Sequence, residues 1–183
     1  LLRFLSFIIY GISLSTMYIA STLYHNSKTP EGRYKFRLFD MVSIYLLIAG
    51  SYTPFTLTVL IDSGGLTLFL LVWVIAFIGI IWKIFTVGNY NISSTLLYIF
   101  MGGLWLFFID AFINEIPQNA LMWIYASAST YLIGVFFYLA DSKIKYNHFI
   151  WHIFVLFCMI HSGLCWMGLH VIRHFFLIVY VFA

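Results

Sequence analysis

Charge is what this chain has least of. Of its 183 residues only 8% are Asp, Glu, Lys or Arg, against roughly 25% in an ordinary soluble domain, and 63% are hydrophobic. So small a polar complement cannot cover a water-soluble fold of this length, which excludes a soluble globular protein. It also leaves no large polar domain that could be recruited as a soluble enzyme, and no nucleic-acid partner is expected. Cysteine is scarce too. Cys158 and Cys165 share one face of one apolar run, but a separation of about 10 Å exceeds disulfide reach. They read as packed thiols and say nothing firm about compartment. The chain starts at Leu1 with no initiator Met. It shows no basic stretch followed by a short apolar core and a small-residue cleavage site, so no cleavable signal peptide is expected.

What is present in quantity is apolar sequence in runs of about 20 residues, each long enough to cross a hydrocarbon layer about 30 Å thick. Six spanning helices are predicted, over about Leu1–Tyr24, Met41–Ile61, Leu66–Phe85, Ile92–Ile113, Ala120–Ala140 and Phe149–Ile172. The fold class expected is therefore all-α, a polytopic transmembrane helix bundle forming a single domain over residues 1–183. Short connections separate the runs: Asn26–Phe39 with Pro30 and Gly32, the tight Asp62–Gly65 turn, Val87–Asn91, Asn114–Asn119 with Pro117, and the polar Asp141–Asn147. Pro54 falls inside the second run, where it should kink the helix unless neighbours satisfy the freed carbonyl. Phe and Tyr, 20 and 13 residues, supply lipid-facing bulk and, with Trp, an interfacial belt. Phe175–Ala183 is too short to span alone.

Orientation follows from the basic residues. Seven of the nine, Lys28, Arg33, Lys35, Arg37, Lys83, Lys143 and Lys145, lie in alternate loops. The positive-inside rule puts those loops in the cytoplasm. His25 then closes the first span, Asp40 opens the second, and His148 and His152 open the sixth, all at the cytoplasmic end. Three helices thus deliver three imidazoles and a carboxylate to one level of one leaflet.

His148 and His152 are four apart and project from one helical face, as when one helix gives two ligands to a single ion. Three imidazoles leave a zinc ion one open position, the pattern of a catalytic site. Water there would be acidified, and Asp40 could hold or deprotonate it. Ser21 lies one turn before His25 on the same face. Taken singly, each histidine is as well read as an interfacial residue bonded to headgroups or water; the matched depth of the four favours a metal. His161 faces elsewhere on its helix, and His170 lies about 33 Å along the axis from His148. His174 and Arg173 form an outer interfacial cluster, and none of these is expected to ligate. Asp110 and Glu115 are expected to be solvated. Gly102, Gly103, Gly163 and Gly168 are expected at close helix contacts.

The run STLYH at Ser21–His25, LFD at Leu38–Asp40, IYLLIAGSYTPF at Ile44–Phe55 and HFIWHIFVL at His148–Leu156 together resemble the hemolysin III proteins. These belong to the larger progestin and adipoQ receptor family, which includes the adiponectin receptors. The resemblance runs from Leu1 to about Gly163. It implies a seven-helix bundle with a cytoplasmic amino terminus, so that one helix, carrying a His-Gly motif, would precede Leu1. It also implies a zinc ion held by His25, His148 and His152, with Asp40 contacting zinc-bound water and Ser21 matching the motif's serine. The segment Leu164–Ala183 departs from the family pattern. Related alkaline ceramidases suggest amide hydrolysis of a lipid by analogy.

Three functions are consistent with these residues. The first is a zinc-dependent hydrolase of an amide or ester bond in a membrane lipid, acting in membrane homeostasis, most naturally in a bacterial inner membrane. With no His-Glu-x-x-His glutamate present, Asp40 is its candidate base and Ser21 its orienting donor. The second is a non-catalytic receptor or sensor in which zinc pins three helices. The third is a proton or ion transporter or a cytolytic pore. A transporter is disfavoured because the polar cluster sits on one side and the midplane shows no ionisable relay. Haem is excluded as a partner of His148 and His152, which share one helical face and cannot sandwich a macrocycle.

Overall fold

A computed structural model describes residues 1–86, 91–139 and 150–166. Among these the chain is almost entirely helical and contains no strand. Five segments are long and apolar enough to cross a membrane: Leu2–Asn26, Pro30–Val59, Ile61–Phe85, Ile92–Glu115 and Gln118–Leu139. A further apolar helix, Ile150–Trp166, falls within the sixth expected span. The chain divides into two compact units, Leu1–Ile109 and Asp110–Ala183, described separately below. The expected connection Asp141–Asn147 and the Phe175–Ala183 tail lie outside the described residues.

In the first unit, α1 (Leu2–Asn26) ends when Ser27 turns extended and its N–H bonds the carbonyl of Tyr24. Helix α2 (Pro30–Pro54) starts almost at once. The Thr29 hydroxyl caps it by accepting the Gly32 N–H at 3.2 Å, and Pro30 occupies the first turn, where a missing N–H costs nothing. Glu31 in that turn pairs with Lys35 at 2.6 Å, one helical turn on. The stretch expected as a basic loop is thus mostly helix. Local capping signals overrode its polarity, and Arg33, Lys35 and Arg37 ride on the opening turns of α2.

Pro54 ends the regular part of α2. The chain continues in two wider turns, Phe55–Val59 and Ile61–Gly65, and Thr hydroxyls take up carbonyls around the break: Thr53 to Ala49, Thr56 to Tyr52 and Thr58 to Pro54. The expected tight turn follows. Gly64 has φ +88°, open to glycine at no steric cost, and a Cβ at Gly65 would run into the carbonyls of Thr56 and Leu60.

Helix α2 is the hub of this unit. It packs on α1, on α3 (Leu66–Phe85) and on α4 (Asn91–Gly102), and 61% of its membrane window is buried, against 28% for α1 and α3. Small residues permit the close approach. Gly50 leaves room for Ser13 of α1, and Gly79 of α3 takes the ring of Tyr45 in the place a Cβ would occupy. Helix α3 sorts its faces by size: Val72, Ala76, Gly79 and Lys83 turn inward, while Leu70, Val74, Phe77, Ile78 and Ile81 are exposed. Lys83, expected in a loop, is instead a fully buried residue of the last turn of α3.

Polar pins fix the register. The Trp73 indole N–H donates to Thr53 Oγ1 at 3.1 Å, and the Tyr98 hydroxyl donates to the Met41 carbonyl at 2.9 Å. Past Gly102 the fourth segment tightens into a 3-10 turn, Leu104–Phe108, which takes backbone groups out of the regular ladder. The Tyr52 hydroxyl bridges that break, donating to the Gly102 carbonyl at 2.8 Å and accepting from the Trp105 N–H at 3.3 Å. Gly102 and Gly103 therefore mark a helix break answered by Tyr52.

The second unit takes in all but the first residue of α5 (Ile109–Glu115), which leads through Pro117 into α6 (Gln118–Leu139), and α6 packs on α7 (Ile150–Trp166). Gly134 admits Trp151 and Phe154, Phe137 stacks on Phe154 at 5.3 Å, and Cys158 and Cys165 are buried free thiols. Gly163, expected at a close contact, faces open space among the described residues; the packing glycines are Gly50, Gly79 and Gly134.

This difference is testable. Replacing Gly79 with Val pushes a branched side chain into the Tyr45 ring and should destabilise the protein by about 1–3 kcal/mol. The same change is not available to Gly163→Ala, which meets open space. In detergent, the thermal midpoint of Gly79→Val should fall by several degrees and that of Gly163→Ala should stay near the parent.

Candidate functional site

The antiparallel pairing of α1 and α2 builds the centre of the candidate site. Ser13 faces Gly50, and one register further along Ser21 faces Asp40. The Ser21 hydroxyl hydrogen-bonds the Asp40 carboxylate, and both are buried, 6% and 4% exposed. A carboxylate out of water is costly unless hydrogen-bonded, and Ser21 meets part of that demand. The Ser43 hydroxyl donates to the main-chain carbonyl of Asp40 at 2.7 Å, stiffening the turn that carries the carboxylate. Met17 and Ala20 line the same buried face of α1.

His25 follows Ser21 by one turn and is exposed, its ring 5.1 Å from that of Tyr24. Tyr24 in turn lies beneath the Arg33 guanidinium, 5.6 Å from the ring centre, which ties the end of α1 to the start of α2. The first unit thus brings together Ser21 and Asp40 and places His25 beyond them at the basic end of α1.

His152 belongs to the second unit, half-buried on α7 between the buried Trp151 and Val155. Trp151 is fixed by Tyr131 and Tyr138 of α6, with ring centres 5.8 and 5.3 Å away. His148, like His170 and His174, lies outside the described residues. Within the described residues of each unit, no three His, Cys, Asp or Glu side chains gather as a metal-holding group. The expected set is divided between the units, with His25 and Asp40 in one and His152 in the other.

Sequence reasoning missed two polar features. On facing helices α6 and α7, the Ser127 hydroxyl reaches Ser162 Oγ at 3.1 Å and the Cys158 sulfur at 3.0 Å. Thr130 Oγ1 lies 3.3 Å from His161 Nδ1, and His161 stacks on Trp123. The signal was legible as paired spacing: Ser127 with Thr130, and Cys158 with His161 and Ser162, each falls on one helical face. The other is Lys83, read as a loop cation and found sealed in the unit.

The sequence profile of the Haemolysin-III related family matches residues 2–163. Hemolysin-3 of Bacillus cereus is 40% identical over 151 residues, covering 82% of this chain and 68% of that protein. The Hemolysin-3 homolog of Bacillus subtilis is 36% identical over 151 residues, 82% of this chain and 70% of its own length. The Monocyte to macrophage differentiation factor of Homo sapiens is 29% identical over 156 residues, 80% of this chain and 63% of that protein. No solved structure matches.

Loss of the Ser21 donor should leave the buried Asp40 carboxylate short of a partner. Ser21→Ala is expected to destabilise by about 1–3 kcal/mol. Asp40→Asn in the same background should recover most of the loss, since a neutral amide is cheaper to bury. Thermal melts of the single and double variants in detergent measure both effects.

Proposed function

Since this chain belongs to the Haemolysin-III related family of integral membrane proteins, we propose that it holds a zinc ion at the basic ends of its helices and hydrolyses an amide or ester bond of a membrane lipid. The observation that carries the reading is the buried Ser21–Asp40 contact, one turn from His25 on the same helix. The donor chemistry supports zinc: neutral imidazoles and a carboxylate are its usual nitrogen and oxygen ligands. His25, His148 and His152 would hold the ion, leaving Asp40 for chemistry. The basic residues of the opening α2 turns support a cytoplasmic placement of this end, in a bacterial inner membrane.

Bound zinc would supply Lewis acidity toward a lipid carbonyl. The protein side of the reaction rests on Asp40. Its burial keeps bulk water away, and the Ser21 hydroxyl occupies part of its hydrogen-bonding capacity and fixes its orientation. The rest of the carboxylate is left to accept a proton from an attacking water and to return it to the leaving group. Ser43, bonded to the Asp40 carbonyl, holds that orientation through the backbone.

Metal analysis of purified protein tests the first half. About one zinc per chain is expected, lost in a His148→Ala/His152→Ala double variant; folded protein free of metal would overturn the reading. Turnover of a short-chain ceramide or a lipid ester tests the second half. Asp40→Asn should keep its zinc and lose roughly a hundredfold or more in rate. Zinc retention with no turnover by the parent on any amide or ester lipid would leave the metal as a pin between helices, the receptor-like alternative.

A further inference from the structure

The polar contacts between α6 and α7 can be followed proton by proton. Ser127 has one hydroxyl proton, and the Cys158 carbonyl, which can only accept, takes it at 3.1 Å. Ser162 and the Cys158 thiol, 3.1 and 3.0 Å from Ser127 Oγ, then donate to that oxygen. Thr130 likewise gives its proton to the Ala126 carbonyl at 2.7 Å. Its oxygen, 3.3 Å from His161 Nδ1, is left as an acceptor. The network therefore assigns the proton of a neutral His161 to Nδ1 and the lone pair to Nε2.

That lone pair meets no donor among the described residues. The neighbouring ring has the opposite deficit. Trp123 stacks on His161 with ring centres 5.7 Å and planes 26° apart, and its indole N–H, a donor only, meets no acceptor among the described residues. Trp123 is 38% exposed and His161 is half-buried, so both rings can be reached from outside the helix pair. His161 lies about 13 Å further along α7 than His152, deep in a hydrocarbon layer about 30 Å thick. Neither water nor acyl chains satisfy polar groups at that depth. One acceptor and one donor thus stand open side by side.

We propose that Trp123 and His161 form a binding site for an apolar alcohol, a long hydrocarbon carrying a single hydroxyl. A hydroxyl both donates and accepts: its proton goes to His161 Nε2 and its oxygen takes the Trp123 N–H. An ether or ketone can meet only the indole, and an alkane meets neither group. The hydrocarbon body lies along Phe157 and Ile133, which follow His161 and Thr130 by one turn on their helices and are exposed, 50% and 51%. The site uses none of the residues assigned to zinc or to hydrolysis, so it stands or fails apart from that reading.

Binding of radiolabelled hexadecanol to the full chain tests the proposal, in a phosphocholine detergent that carries no hydroxyl and with EDTA present so that metal plays no part. Saturable binding is expected, with hexadecyl methyl ether about five- to tenfold weaker because it cannot donate. His161→Phe keeps a ring against Trp123 and removes the acceptor; it should weaken the alcohol by about the same factor, read where its thermal melt matches the parent. Ser162→Ala disturbs the same helix contact away from the two open groups and should leave affinity unchanged. A measurement on the unmodified chain needs no variant: in protein labelled with nitrogen-15 histidine, one imidazole signal should move as the alcohol binds and none with the ether. Equal binding of alcohol and ether would show simple partitioning and overturn the site. Equal weakening by Ser162→Ala, or an alcohol that moves no imidazole signal, would overturn it as well.

Discussion

Asp40 sits on the most buried of the described spanning segments, in a chain that has almost no charge to spare, and a carboxylate in that position survives only if the fold brings it a donor. The donor is Ser21, on the neighbouring helix, and the contact demands that α1 and α2 approach closely and in one register. That demand propagates. Gly50 must stay bare to admit Ser13, and the inward face of α1 must be made of Ser6, Ser13, Met17, Ala20 and Ser21 rather than branched bulk. The turn between the helices must be short, which the Thr29 cap and Pro30 provide. In a hydrocarbon layer no water can substitute for a misplaced partner, so register and polarity are settled together.

The same logic runs through the rest of the first unit. Where a helix loses its regular ladder, a hydroxyl from within the bundle replaces it: Thr58 at Pro54, and Tyr52 at the Gly102–Leu104 break. Neither the proline kink nor the 3-10 turn is left bare. The second unit places its hydroxyls between α6 and α7 instead, where Ser127 and Thr130 meet Cys158, Ser162 and His161. Such contacts contribute modestly in a membrane, about 0.6–2 kcal/mol each, and their value lies in specifying which faces meet.

Function follows from how this architecture spends its few polar groups. At the basic end, Glu31, Lys35, Arg33 and Tyr24 are engaged with one another. Asp40 and Ser21 form a buried hydrogen-bonded pair between α1 and α2.

The sequence by itself determined the class of the protein and the approximate spans, because length and hydropathy are properties of a segment and need no partner. It also determined the family, through motifs that cover most of the chain. The Asp62–Gly65 turn was legible from its glycines, and Asp40 and Ser21 from their place in a motif. Tertiary structure alone decided what hydropathy cannot express. Capping by Thr29 and Pro30 converted a polar loop into the opening of α2. The inward stripe of α3 buried Lys83, since helix facing depends on a neighbour's shape rather than on the residue's own polarity. It also decided which glycines carry packing, Gly50, Gly79 and Gly134 rather than Gly163, because a missing Cβ matters only where another side chain arrives to fill its space.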